Sequence, residues 1–89
     1  MINVIRMTTT HPDGDVAIDT LASLGDDLEL REIYKYVKDY ASHRATDILL
    51  NSQGRKMPLV EIDENDHGLP HASIYVNNVI VQQVFATKE

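Results

Sequence analysis

Three apolar segments of the chain have the pattern of β-strands. Residues 2–7 read INVIRM, an apolar run rich in β-branched residues that predicts a buried strand. Residues 59–63 alternate as LVEID and predict a short strand. Residues 73–85 read SIYVNNVIVQQVF, in which two β-rich runs flank a pair of asparagines. Because asparagine tolerates positive φ angles, this last segment predicts a β-hairpin.

Residues 14–24 have the spacing of a helix. Ala17 and Leu21 recur at helical intervals with further apolar residues beside them. Gly25 follows directly, and glycine often ends a helix. The preceding segment, residues 8–14, is interrupted by proline and glycine and predicts a turn.

The residue pattern of segment 28–36 fits either a strand or a helix. Its apolar residues largely alternate, as in a strand, but Glu32 interrupts the alternation. Val37 and Ala41 instead continue a four-residue spacing that begins within the segment, as on a helix that would run from 27 to 50. The local pattern favours the long helix, and the second half of that stretch is helical in either case.

The order of these elements resembles that of the glutaredoxins, small proteins of the thioredoxin superfold. The likeness rests on this order together with Pro12, Ala17, Gly25, Gly54, Met57 and Pro58. His11, Pro12, Asp13 and Gly14 lie where the family has C-P-Y-C at the start of its first helix, and Met57 and Pro58 lie where it has a cis-proline step beside the active site. The resemblance covers about residues 1–63.

This resemblance implies an α/β fold, a small thioredoxin-like sheet flanked by helices, with residues 28–34 as its second strand. It also implies a cis peptide bond between Met57 and Pro58, facing the turn at Pro12. The residue pattern alone leaves an alternative, an α+β fold with one long second helix and a C-terminal hairpin. Either fold is expected to form a single domain over residues 1–89.

The chain departs from the glutaredoxin pattern in its chemistry. It contains no cysteine, so thiol–disulfide catalysis is excluded, because the thiolate is the nucleophile of that reaction. The glycine pair that helps the family to bind glutathione is also missing. We therefore expect no cofactor, no bound metal and no catalytic residue.

The leading hypothesis for function is a non-catalytic, glutaredoxin-like binding or regulatory protein that acts through protein–protein contacts. One expected surface is the former active-site edge, formed by His11, Pro12, Asp13 and Gly14 with Met57 and Pro58. The other is a group of three tyrosines, Tyr34, Tyr36 and Tyr40, because tyrosine is enriched at protein interfaces. The apolar C-terminal strands suggest a homodimer if one of them lies at a sheet edge.

The residues are also compatible with two other functions. His11 and the neighbouring acids could serve a small enzyme or an anion-binding protein at the start of the first helix. Alternatively, a net charge of −6 suggests an acidic inhibitor that mimics DNA.

Composition excludes some partners. With 8 basic against 14 acidic residues, direct binding of nucleic acid is not expected, because phosphate neutralisation dominates such binding. No segment approaches the roughly 20 apolar residues of a membrane span, and the first residues do not have the pattern of a secretory signal. We expect a cytoplasmic protein, of a kind suited to phage or bacterial genomes as a compact accessory protein.

Overall fold

Five antiparallel strands and one long helix make up the computed structural model, which describes residues 1–89. The elements in chain order are β1 (Asn3–Thr10), β2 (Val16–Leu24), α1 (Leu30–Asn51), β3 (Leu59–Glu64), β4 (Pro70–Val76) and β5 (Val79–Lys88). The strands form a single sheet in the order β2-β1-β5-β4-β3, and every neighbouring pair is antiparallel. This α+β arrangement confirms the alternative that the residue pattern left open, with one long helix and a C-terminal hairpin.

The hydrophobic core lies between α1 and one face of the sheet. The helix contributes Ile33, Val37 and Ala41, which follow each other at four-residue intervals and are buried. The sheet contributes alternate residues of its central strands, Ile5, Met7, Ala72, Val84 and Ala86. Alanines occupy three of these core positions and are fully buried, so the helix and the sheet meet there without large side chains between them.

The 22-residue helix α1 ends in a tight reversal of the chain. Gln53 and Gly54 have positive φ angles of 53° and 79°, and the Gly54 N–H donates to the carbonyl oxygen of Leu49 at 2.9 Å. The Ser52 hydroxyl accepts a bond from the Lys56 N–H, which holds the loop that follows. No helix of the structure has both the length and the apolar character needed to cross a membrane.

The hairpin between β4 and β5 forms as the asparagine pair predicts. Asn77 and Asn78 have φ angles of 54° and 65°, and two successive left-handed residues are what a two-residue type I′ turn requires. The flanking residues Val76 and Val79 pair with each other across the hairpin. One register shift follows between Ile74 and Tyr75, where β5 carries an extra residue.

A single side chain organises the turn between β3 and β4. The Asn65 carboxamide oxygen accepts hydrogen bonds from the N–H groups of His67 and Leu69, and its nitrogen donates to the Ala86 carbonyl at 3.2 Å. Asn65 therefore ties this turn to β5, the strand that pairs with β4.

The expectation of a helix over 14–24 is wrong, because this segment is the edge strand β2. It pairs with β1 along its length, from Val16 opposite Thr10 to Leu24 opposite Asn3. Three β-branched residues that suit a strand, Val16, Ile18 and Thr20, alternate within it. Pairing with a distant strand therefore outweighs the helical spacing, which is a local preference.

The glutaredoxin resemblance is also wrong. A thioredoxin fold needs a βαβ unit with several helices, whereas this sheet is wholly antiparallel and carries one helix. Residues 28–34 are not its second strand, because α1 begins at Leu30. The bond between Met57 and Pro58 is trans, since the structure contains no cis peptide bond.

Residues 86–88 are paired in the sheet. β5 continues to Lys88, which lies opposite Asn3 on β1. Beyond it, Ile2 and Glu89 exchange two backbone hydrogen bonds of 2.6 and 2.9 Å. The segment is held because its pairing partner is an interior strand of the sheet.

Candidate binding surface on the open face of the sheet

The helix covers only one face of the sheet, and we call the opposite face the open face. Successive residues of a strand point to opposite faces, so the neighbours of the buried core residues lie on the open face. On β1, Arg6 and Thr8 alternate with the core residues Ile5 and Met7. The cross-strand register then places the remaining residues of this face in rows.

The first of these rows crosses all five strands. We call it the charged row, and its members in order are Asp63, His71, Phe85, Arg6 and Thr20. At its centre the His71 and Phe85 rings stack, with centroids 5.7 Å apart and planes inclined by 28°. The row brings an acid, an imidazole, an aromatic ring and a guanidinium side by side.

Arg6 is anchored by a carboxylate at the end of β5. Its Nε and Nη2 donate to the two oxygens of Glu89 at 2.7 and 2.6 Å, a bidentate ion pair. Nη1 also donates to the Thr20 hydroxyl at 3.3 Å. The hydrogen bond with Glu89 raises the pKa of Arg6, and the bonds from Arg6 and Thr87 lower the pKa of Glu89. Both groups stay charged, so they neutralise each other at this position.

The second row is mostly polar and uncharged. We call it the middle row, and it consists of Glu61, Ser73, Gln83, Thr8 and Ile18. Glu61 stands at the β3 end of the row, two residues from Asp63 in the charged row, and both are exposed. Since Arg6 is neutralised by Glu89, the unpaired charge of the open face lies on β3 and is negative.

Beyond the middle row the open face becomes apolar. Leu59, Tyr75 and Ile80 are successive cross-strand neighbours on β3, β4 and β5, and β2 adds the exposed apolar side chain of Val16 and that of Ile18, which ends the middle row. The exposed fractions are 57% for Leu59, 57% for Val16 and 62% for Ile18. These five residues are called the apolar end. Tyr75 and Ile80 are half-buried, and β1 lies between them and the two β2 residues. Several apolar side chains on an uncovered face are typical of interaction sites.

The predicted residues at the first turn do not stand at a helix start. His11, Pro12, Asp13 and Gly14 form the exposed turn between β1 and β2. The His11 N–H donates to the Asp15 carbonyl at 2.8 Å, and the Asp13 carboxylate accepts from the Asp15 N–H at 3.0 Å. Gly14 has a φ of 93°. The enzyme and anion-binding hypotheses stay predictions, but the helix N-terminus on which they depended is absent here.

Met57 and Pro58 lie in the segment that leads into β3, and Met57 is 71% exposed. The structure brings this segment to the same end of the sheet as the first turn, because Pro12 and Lys56 line one shallow groove of about 220 Å³. Gln82 lines it too, with its carboxamide oxygen buried and without a hydrogen-bond partner. The groove is smaller than the roughly 300–1,000 Å³ of typical ligand pockets.

The three tyrosines are all on α1 and do not form one surface. Tyr34 donates to the Glu64 carboxylate at 2.7 Å, and this bond raises the pKa of Tyr34. Tyr40 packs against the core. Tyr36 is exposed and lines a separate groove beside Leu28.

The comparisons with known proteins gave no match. No protein-family model matches the chain, and searches among curated proteins and solved structures found no match. No three histidine, aspartate or glutamate side chains lie close enough together to hold a metal ion. The surface must therefore be interpreted from its own geometry.

The open face was not predicted from the sequence, although one signal for it is present there. In β4, His71, Ser73 and Tyr75 alternate with the buried residues Ala72 and Ile74. Such alternation is typical of an antiparallel strand with one uncovered face. The rows across the sheet could not be found in this way, because they depend on the strand order.

Proposed function

We propose that this chain is a non-catalytic binding or regulatory protein and that the open face contacts a partner protein. The observation that carries the proposal is the one-sided position of α1, which leaves five strands with an apolar end and aromatic side chains uncovered. Neither Tyr75 nor Phe85 lines any groove of the structure, and a surface without a pocket suits a protein better than a small molecule, because small ligands bind in concave pockets. Large aromatic residues are also frequent energetic centres of protein interfaces.

The chemistry of the open face indicates the kind of partner. Tyr75 and Phe85 are half-buried and offer rigid apolar area. Glu61 and Asp63 add unneutralised negative charge along the β3 side. The partner we propose is therefore a protein surface with apolar residues at its centre and lysine or arginine at the side that meets β3.

Capture with matched variants tests the surface. Wild-type protein, Tyr75→Glu and the control Tyr36→Glu are immobilised and exposed to a lysate of the source cells. We expect a protein that is retained by the wild type and the control, and that Tyr75→Glu binds at least about tenfold more weakly, as for the loss of an interface centre. Retention of every captured protein by Tyr75→Glu, or capture of none, would overturn the proposal.

A second pair of variants tests the charge of the partner. Glu61→Lys lies on the open face, whereas Glu32→Lys changes the same charge in the first turn of α1. We expect Glu61→Lys to weaken binding of the identified partner and Glu32→Lys to leave it unchanged. Equal effects of both substitutions would mean that only net charge matters and would contradict the assigned surface.

A cytoplasmic location is part of the same proposal. A chain without cysteine needs no oxidising compartment for its stability, and this is compatible with the reducing cytoplasm. Fractionation of the source cells checks it, with recovery of the protein outside the cytoplasmic fraction as the contrary result.

A further inference from the structure

The sheet has two free edges, and they are not the edges expected from the C-terminal strands. β4 and β5 are both interior strands, each paired on two sides. The free edges are those of β2 and β3. A strand from another chain can therefore extend the sheet only at one of these two.

The two edges differ in charge. β3 has three carboxylates in six residues, Glu61, Asp63 and Glu64. β2 has one, Asp19, in nine residues, and no proline. Charged side chains on an edge strand are a common protection against pairing with other chains. β3 is protected in this way, and β2 is long, nearly uncharged and apolar on the open face.

We infer that two copies of this chain associate through β2, in an antiparallel pair whose two-fold axis passes beside Ile18. The two-fold axis of such a pair is perpendicular to the sheet, so each residue lies on the same face of the sheet in both copies. Neighbours in an antiparallel pair also share a face, so only residues of the same face can lie opposite each other. Because side chains alternate between faces, this condition requires the axis to pass beside a residue and not between two residues.

Like charges then select among the possible positions. An axis at Asp19 would put the two Asp19 carboxylates opposite each other, and an axis at Ala17 would put Asp19 opposite Asp15 of the second copy. An axis at Ile18 sets Ile18 against its own copy, Val16 against Thr20, and Ala17 against Asp19. This register has no acid opposite an acid, and it pairs β-branched residues on the open face.

The β-bulge in β2 limits this pairing. The register with β1 shifts after Ile5, and Leu21 is the extra residue. Beyond Leu21, the residue positions that face α1 and those on the open face swap relative to Val16–Thr20. The uninterrupted ladder between the two copies of β2 therefore spans residues 16–20 of each copy. The same operation applied to β3 with the axis at its residue Ile62 sets Glu61 against Asp63, acid against acid.

The resulting assembly has a single ten-stranded sheet with both helices on one side. The open faces of the two copies become one surface, with the β2 residues of the apolar end at its middle. The partner contact proposed above does not require this assembly, so the failure of either proposal leaves the other standing.

Light scattering on purified protein across a dilution series tests the inference. We expect the mass to approach twice the 10.0 kDa of one chain at high concentration. Ile18→Lys, a charge at the axis, is expected to abolish the association, and Leu59→Lys, which adds the same charge at the apolar residue on β3, is expected to keep it. A wild-type mass of one chain at every concentration would overturn the inference, as would loss of association in Leu59→Lys alone or in both variants.

Two measurements on the wild type locate the contact without substitutions. Hydrogen exchange of the amides of residues 16–20 is expected to slow with rising concentration while that of residues 59–64 does not change, and the opposite pattern would contradict the β2 contact. Because each chain carries a net charge of −6, added salt is expected to strengthen the association by screening repulsion. Weakening by salt would indicate a contact based on ion pairs and would contradict the register.

Discussion

His71 and Phe85 lie opposite each other on β4 and β5, and their rings stack with centroids 5.7 Å apart on the face that α1 leaves uncovered. The contact therefore joins two interior strands from outside the hydrophobic core. Its contribution to stability can be separated from the burial of either ring.

A double-mutant cycle measures this contact. His71→Ala, Phe85→Ala and the double variant are expected to give a coupling free energy of about 0.2–1 kcal/mol, the usual range for cross-strand pairs. Urea unfolding of the four proteins supplies the values. A coupling free energy indistinguishable from zero would show that the two rings are adjacent but do not stabilise each other. A second cycle, of His71 with the distant Tyr36, is the control.

The ion pair of Arg6 and Glu89 predicts sensitivity to acid. The pKa of Glu89 is below its ordinary value of 4.5, because its carboxylate accepts hydrogen bonds from Arg6 and Thr87. The stabilisation is present above that ordinary value and is lost as the pH falls through the lowered pKa. Urea unfolding between neutral and acidic pH is expected to show a flatter profile for Glu89→Gln than for wild type, with Glu61→Gln as the control. Coincident profiles for wild type and Glu89→Gln would contradict the expectation.

The hydrogen bond of Tyr34 predicts a loss of stability at alkaline pH, opposite in direction to the loss expected from Glu89. Its hydroxyl donates to Glu64, and this bond, with burial and the nearby acids, raises the pKa of Tyr34 above the ordinary 10.0. The stabilisation is present below pH 10.0 and is lost as the pH rises through the raised pKa. Tyr34→Phe should remove this part of the alkaline loss of stability, and Tyr36→Phe should not. Ultraviolet titration of the phenols gives an independent check, since loss of Tyr34 should remove the phenol that titrates at the higher pH.

The turn of the C-terminal hairpin predicts a stability difference between two substitutions at one position. Asn78 has a φ of 65°, a conformation that glycine adopts freely and alanine does not. We expect Asn78→Ala to lower the free energy of unfolding by about 1 kcal/mol and Asn78→Gly to leave it unchanged or higher. Thermal or urea unfolding is sufficient, and equal effects of the two substitutions would contradict a type I′ turn.

The two faces of β4 predict different tolerance of a larger side chain. Ala72 is fully buried beneath α1, whereas its neighbour Ser73 lies on the open face. Ala72→Leu is expected to destabilise the protein by about 1–3 kcal/mol through overpacking, and Ser73→Leu to change stability by about 0.5 kcal/mol or less. Similar losses for both would mean that the open face is as tightly packed as the core.

Local patterns predicted some elements of this fold well and others badly. The spacing of Ile33, Val37 and Ala41 indicated α1, and the asparagine pair indicated the last hairpin, because both signals depend on residues near each other in the chain. β2 was mistaken for a helix because its apolar residues fit both periods. Its structure is decided by β1, to which it pairs, and no pattern within the segment contains that information.

The candidate binding surface was even harder to predict from the sequence than the fold. The residues chosen from the glutaredoxin resemblance lie at one end of the sheet but form no helix-start site, and the tyrosines point to different surroundings. Arg6, His71 and Phe85 were each visible in the sequence, yet their proximity depends on β1 being next to β5. That pairing joins the first and last strands of the sheet in chain order and has no local signature.

The pairing of β1 with β5 also constrains the order in which the strands of the sheet can pair during folding. The other three strand pairs join consecutive or nearly consecutive segments and can form as soon as each is synthesised. The middle of the sheet cannot close until β5 has left the ribosome, because Asn3 must meet Lys88. Such distant pairing is slow to form, so the edge of β1 that faces β5 stays unpaired until β5 is available.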